Sequence, residues 1–126
     1  MRNFHTVAWD DERGTTAVEF AIVAPVFITS VIGTLYLCMC LLVVGSLHYA
    51  VEEGARCASV LKTSVCSDAT TTVAYTKSRY FGLSGSPTFT YAAEPCGNSV
   101  SASINYVLNL GLKQVTVPIT ATACFP

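Results

Sequence analysis

The sequence predicts an α+β fold: a long N-terminal transmembrane helix that extends into a small extracytoplasmic domain with a short helix and a 2-3 stranded antiparallel sheet. Three observations carry this reading. No Asp, Glu, Lys or Arg occurs from Phe20 to Val51, well beyond the roughly 20 apolar residues that a helix needs to cross a bilayer core. Beyond Leu83 the apolar residues alternate with polar ones, the period of a half-buried strand. Four of the six cysteines, Cys57, Cys66, Cys96 and Cys124, follow the apolar run, a density that suits an oxidising compartment. At 126 residues the chain has room for an anchor and one small domain. Charged residues make up only 12% and the mean hydropathy is +0.50, while a net charge of −1 leaves no basic patch for nucleic acid.

In chain order, residues 1–14 form a short polar leader that ends in Asp10, Asp11, Glu12, Arg13 and Gly14. A secretory signal peptide has an apolar region of about 7–15 residues closed by a small-residue cleavage site; here the run is too long and no such site closes it. A lipoprotein signal at Leu35 to Cys38 fails because bulky Leu37 stands where a small residue is needed. The helix is therefore an anchor, over 15–63, with its span at about 20–47. Along it Ala17, Ala21, Pro25, Thr29 and Gly33 recur every fourth residue, a small-residue ridge of the kind that lets transmembrane helices approach closely. Pro25 is tolerated in a membrane helix as a kink.

After Leu47 the helix continues, with His48 and Tyr49 suited to the interface and Ala50, Ala55, Ala58 and Leu61 spaced as one packing face. Glu52 and Glu53 read as a solvated face, with Arg56 as their ion-pair partner. Residues 64–126 are the head. A break at Ser64 to Asp68 precedes a second helix, N-capped by Asp68 and ending near Gly82. Ser84 to Pro87 reads as a loop and Thr88 to Tyr91 as a short strand. Two longer strands follow, from Val100 to Leu108 and from Val115 to Ala123, with a turn at Asn109-Leu110-Gly111. Pro118 is placed outward on an edge, and the helix extension from Tyr49 to Leu61 is the nearest cover for the apolar face of the sheet. The four later cysteines allow three pairings. Cys57–Cys66 and Cys96–Cys124 are preferred because each closes a short or hairpin-like segment, and free buried thiols stand as the other reading.

Catalytic chemistry finds no support. His5 lies in the leader, and His48 has no nucleophile or carboxylate set around it. Cys38 and Cys40, two apart on a helix, face different sides and cannot easily chelate one soft metal ion, so apolar packing is their reading. No metal site and no cofactor is expected.

The informative stretch runs from Arg13 to Phe27. Glu19 is a lone carboxylate at the edge of a long apolar helix, where an acidic residue costs up to about 2.5–3.5 kcal/mol at mid-helix and less near the interface. Cleavage after Gly14 would create an α-amino group on Thr15, cationic at neutral pH and four residues from Glu19. It could meet Glu19 of its own chain or of a neighbour. Arg13-Gly14, Ala17-Val18-Glu19-Phe20-Ala21, Pro25 and the later Glu52, Gly54-Ala55-Arg56 resemble the TadE-like family, minor pseudopilins of the tight-adherence (Flp) pilus system, over about residues 12–60. The resemblance implies cleavage by a prepilin peptidase between Gly14 and Thr15, with Glu19 and Phe20 as the processing and assembly motif. It also implies other pilin or pseudopilin subunits, a pilus assembly platform and the lipid bilayer as partners. The implied location is the bacterial cytoplasmic membrane, single-pass, with the N-terminus cytoplasmic and the head outside. The acidic leader departs from the basic leaders common in relatives. A membrane-anchored accessory protein that binds a partner without entering a filament is the other reading. The sizeable head argues against a major pilin.

Overall fold

A computed structural model of the chain describes residues 11–61, 64–83, 85–109 and 113–126. His5, most of the leader, the expected helix end at residue 63, Ser84, and the turn residues Leu110 and Gly111 lie outside the described residues. The order of elements is α1 (Asp11–Val60), α2 (Ala69–Arg79), β1 (Thr88–Glu94), β2 (Gly97–Asn109) and β3 (Gln114–Phe125). This is the expected α+β fold, with three strands in a single antiparallel sheet of order β1-β2-β3. The chain divides into two compact units, one up to Tyr36 and one from Leu37 to Pro126. The second unit therefore takes in the later part of α1 together with everything after it.

In that unit the sheet has one apolar face, and α1 covers it. Val43, Leu47, Ala50, Val51 and Ala55 share a core with Phe89 of β1, Val100, Ala102, Ile104 and Tyr106 of β2, and Ile119 and Ala121 of β3. These α1 positions follow the three-and-four spacing of a single helix face. Ala50, Ala55 and Ala58 are buried as expected, whereas Leu61 is 42% exposed. The helix ends at Val60, so Leu61 no longer follows the buried face. The inward face also begins earlier than the sequence suggests. Val43, Ser46 and Leu47 fall within the expected bilayer span, yet all three are buried within the protein.

β2 pairs on both sides, Phe89↔Ala102↔Ala121 forming one inward row. β1 starts at Thr88 as expected but continues to Glu94, and both longer strands extend past the expected ends. The β1–β2 connection is tight: Pro95 fixes one backbone angle, and Gly97 has φ 126°, which an L side chain resists. A Cβ there would also strike the backbone of Phe125 and Pro126. Pro118 is exposed on β3, an edge strand, where its missing N–H costs no ladder bond inside the sheet.

α2 is rich in threonine, a modest helix former, and its start is fixed by a capping box. The Asp68 carboxylate accepts from Thr71 N at 2.8 Å, and Thr71 Oγ1 accepts from Asp68 N at 3.1 Å. The helix stops at Arg79 rather than near Gly82. Tyr80 turns extended (φ −77°, ψ 126°) and sets its ring edge-on to Phe89 at 6.3 Å. Burial pushes the Tyr80 phenol up from its ordinary value, opposed by a hydrogen bond with Ser46. Against α1, α2 presents the buried Thr72 and Thr76, whose hydroxyls donate to Asp68 O and Thr72 O at 2.8 Å. The helices meet where Gly54 faces Thr76: a Cβ on Gly54 would run into the Thr76 hydroxyl.

Both preferred cystine pairs are present, Cys57–Cys66 and Cys96–Cys124, at sequence separations of 9 and 28. In the chain-entropy account they stabilise by about 2.6 and about 3.6 kcal/mol. A polar chain near the first of them ties α1 to every strand. Tyr91 OH (β1) donates to Asn98 Oδ1 (β2) at 2.6 Å, and Asn98 Nδ2 donates to Ser59 Oγ at 3.0 Å. The Ser59 hydroxyl in turn reaches the carbonyls of Phe125 (β3) at 3.0 Å and Ala55 at 3.1 Å.

Two outcomes follow from the α1–α2 contact and the cap. Gly54→Val should destabilise the head by about 1–3 kcal/mol through overpacking, and Thr76→Ala in the same chain should return part of the loss, read as urea midpoints. The Asp68 carboxylate is held below its ordinary value of 3.8, chiefly by the Thr71 backbone N–H. Its contribution is present above that value and lost as pH falls through the lower folded value. Asp68→Ala should therefore lower the thermal midpoint at neutral pH, and by much less in strong acid, where wild type has lost the same interaction.

Candidate functional site

The residues singled out near the N-terminus lie on the first turns of α1. The helix begins at Asp11, so the Gly14–Thr15 peptide bond lies inside helical backbone rather than at the junction of a leader and a helix. Gly14 is exposed, with open space around the position of a Cβ. Thr15 and Glu19 are four residues apart and so share a helix face. Phe20 is 73% exposed, and Glu19 is exposed beside it.

Ala17, Ala21, Pro25, Thr29 and Gly33 are likewise exposed. At 100° per residue, each step of four residues overshoots a full turn, so the ridge winds about 160° round α1 between Ala17 and Gly33. Only neighbouring members can meet one straight partner, and such ridges favour crossed rather than parallel packing. The hydroxyls in this region turn back onto their own helix. Thr29 Oγ1 lies 2.9 Å from both Pro25 O and Val26 O, Ser30 Oγ donates to Phe27 O at 2.7 Å, and Thr34 Oγ1 donates to Ser30 O at 2.9 Å. That arrangement satisfies each hydroxyl without water. α1 is long and apolar enough over Gly14–Val60 to cross a membrane once.

Cys38 is exposed and Cys40 half-buried against the core, so only Cys40 packs as expected. Among the described residues no group of three His, Cys, Asp or Glu side chains converges as metal ligands would. Arg56 does not pair with Glu52 or Glu53. Its guanidinium stands 5.4 Å from the centre of the Phe125 ring, beside an open groove of about 440 Å³ lined also by Glu53, Val60, Leu61 and Tyr75. The motif residues Gly54, Ala55 and Arg56 thus do one structural job. Gly54 admits α2, Ala55 is buried in the core, and Arg56 covers the end of β3. Sequence reading missed this role; the signal available was the spacing of Val43, Leu47, Ala50, Gly54 and Ala58 along one helix face.

Residues 14–56 match the family model described as TadE-like protein, the family that the motifs at Arg13–Pro25 and Glu52–Arg56 resemble. The match points to a part in tight-adherence (Flp) pilus systems. It covers the apolar helix and the motif that seats α2, and leaves residues 57–126 outside it. No curated protein and no solved structure matches the chain.

Proposed function

We propose that this TadE-like chain is a minor pseudopilin, cut between Gly14 and Thr15 by a prepilin peptidase and assembled through the helix that follows. The observation that carries the reading is Glu19: an exposed carboxylate one helical turn beyond Thr15, at the head of a run without charge up to Val51. A helix N-terminus disfavours positive charge by roughly 0.3–1 kcal/mol. A new Thr15 ammonium would sit at such an end, and Glu19 on the same face offsets it. In a bundle, the same pair formed between neighbouring chains would fix the register of each added subunit.

The helical backbone across the cleavage site has a consequence for processing. A peptidase takes its substrate extended, so α1 must open locally, and glycine lowers helix stability by about 1 kcal/mol relative to alanine. Gly14 therefore marks a place where opening is cheap and no side chain obstructs the enzyme. The span runs from Phe20 to about Leu42, roughly 34 Å of helix, against a hydrocarbon core of about 30 Å. From Val43 onward α1 is engaged by the head. The N-terminus is cytoplasmic and the head extracytoplasmic, where both disulfides can form. The chain acts by packing against other pilin-like subunits and the membrane assembly platform, not as an enzyme.

Mass measurement of the membrane-extracted protein should show a chain that begins at Thr15; an intact N-terminus would sink the proposal in favour of an unprocessed membrane-anchored accessory protein. Gly14→Phe should leave the leader attached in the same measurement. Glu19→Val should be processed normally yet reduce piliation, counted by electron microscopy, and normal piliation would remove the pairing role from Glu19.

A further inference from the structure

The two cystines stand in different surroundings. Cys57 and Cys66 are 3% and 2% exposed, closed in where α1 passes into the connection to α2. Cys96 is exposed and its partner Cys124 half-buried. Glu94 pairs with Gly97, which leaves Pro95 and Cys96 as the two-residue turn at the tip of the β1–β2 hairpin. Cys124 pairs with Ser99 on β2. Ala121 and Ala123 point toward the core that α1 covers, so strand alternation puts Cys124 on the opposite face of the sheet, turned away from α1.

Thiol–disulfide exchange needs a thiolate to reach one of the two sulfurs, and exposed cystines are the labile ones. For Cys57–Cys66 that approach requires the α1–α2 connection to open first. At Cys96 it comes straight from solvent. An attacking thiolate bonds to Cys96 Sγ, the bond to Cys124 breaks, and the electron pair leaves on Cys124 Sγ, which takes up a proton. The second thiol of the same dithiol then displaces Cys96, so the dithiol leaves as a disulfide and the cystine has gained two electrons. The freed thiols do not drift apart. Ladder pairs on either side of Cys124, Asn98↔Phe125 and Val100↔Ala123, keep it opposite the turn, and closure is the same exchange in reverse.

The bond also controls something definite. Cys124 leads directly into Phe125, whose carbonyl accepts from Ser59 at 3.0 Å and whose ring lies under the Arg56 guanidinium as a wall of the groove beside it. Gly97, next to Cys96, lies against the backbone of Phe125 and Pro126. The end of β3 is therefore gripped from both faces, by α1 on one and by the cystine on the other. We infer that Cys96–Cys124 is an exchangeable cystine, the site at which a dithiol protein opens and recloses the C-terminal end of β3 while Cys57–Cys66 stays closed.

Timed reduction of the full chain in detergent tests it, with dithiothreitol and reduced thioredoxin as separate probes and iodoacetamide as the trap for released thiols. Trypsin, cutting after Arg56, Lys62, Lys77, Arg79 and Lys113, puts each disulfide cysteine in its own peptide for mass measurement. Both probes should release Cys96 and Cys124 at least roughly tenfold faster than Cys57 and Cys66. Release of all four together, or of Cys57 and Cys66 first, would overturn the inference, including the case in which loss of one cystine unfolds the rest. Release by dithiothreitol but not by thioredoxin would remove the dithiol protein as partner. Hydrogen exchange of the selectively reduced and alkylated chain supplies the second reading. It should accelerate by about tenfold or more over residues 122–126 and stay unchanged in α2; unchanged exchange at 122–126 would take the hold on β3 away from this bond.

Discussion

A three-stranded meander has a single apolar face, and on its own that face would lie open to water. Here it is buried because α1 does not stop where its lipid-compatible stretch ends. Val43, Leu47, Ala50, Val51 and Ala55 take the place of a second sheet, and the small residues among them let the strands come close. The rest of the head depends on this one contact. α2 can reach its place only by crossing α1 at a residue without a side chain, and the strand ends are held by a hydroxyl that α1 supplies at Ser59. The helix is thus scaffold and core at once in this unit, which explains why so few charged residues suffice for a folded head.

Much of this was legible in the sequence, for reasons that differ by element. The strands announced themselves by alternation, since Val100, Ala102, Ile104 and Tyr106 all had to face one way. Asp68 declared the start of α2 because a carboxylate three residues before a threonine can satisfy the orphan amides of a helix start. Loop length favoured the two cystine pairs that form but left the other pairings open. The inward turn of α1 at Val43 was not legible from hydropathy, because a side chain facing lipid and one facing a protein core have the same chemistry. Arg56 misled for a related reason. Helical spacing offered it Glu52 and Glu53, but the ring of Phe125, distant in sequence, occupied the space over its guanidinium. α2 stops at Arg79 because Tyr80 turns extended, which sets its ring edge-on to Phe89, a contact that no local signal in the sequence shows.

The N-terminal stretch is of a different kind, since its meaning lies in what it lacks. Its polar side chains, Thr29, Ser30 and Thr34, are satisfied by their own helix and call for no partner. Glu19 differs from them, an exposed carboxylate ahead of the run in which these hydroxyls turn back onto their own helix. The TadE-like match over residues 14–56 covers both this stretch and the glycine that seats α2. One family motif therefore marks the start of the apolar helix and the other the attachment of the head.

The linkage at Ser59 also decides how the head bears force. A pull along α1 from its N-terminal side loads the contact between helix and sheet in shear, so that Val43, Leu47, Ala50, Val51 and Ala55 share the tension. At the far end of the helix, the link to Asn98 and Phe125 and the Cys57–Cys66 clip prevent the last turns from unwinding under that load. A small head built in this way yields only when its whole interface with the helix slides, which makes it a sturdy fitting at the end of a tether.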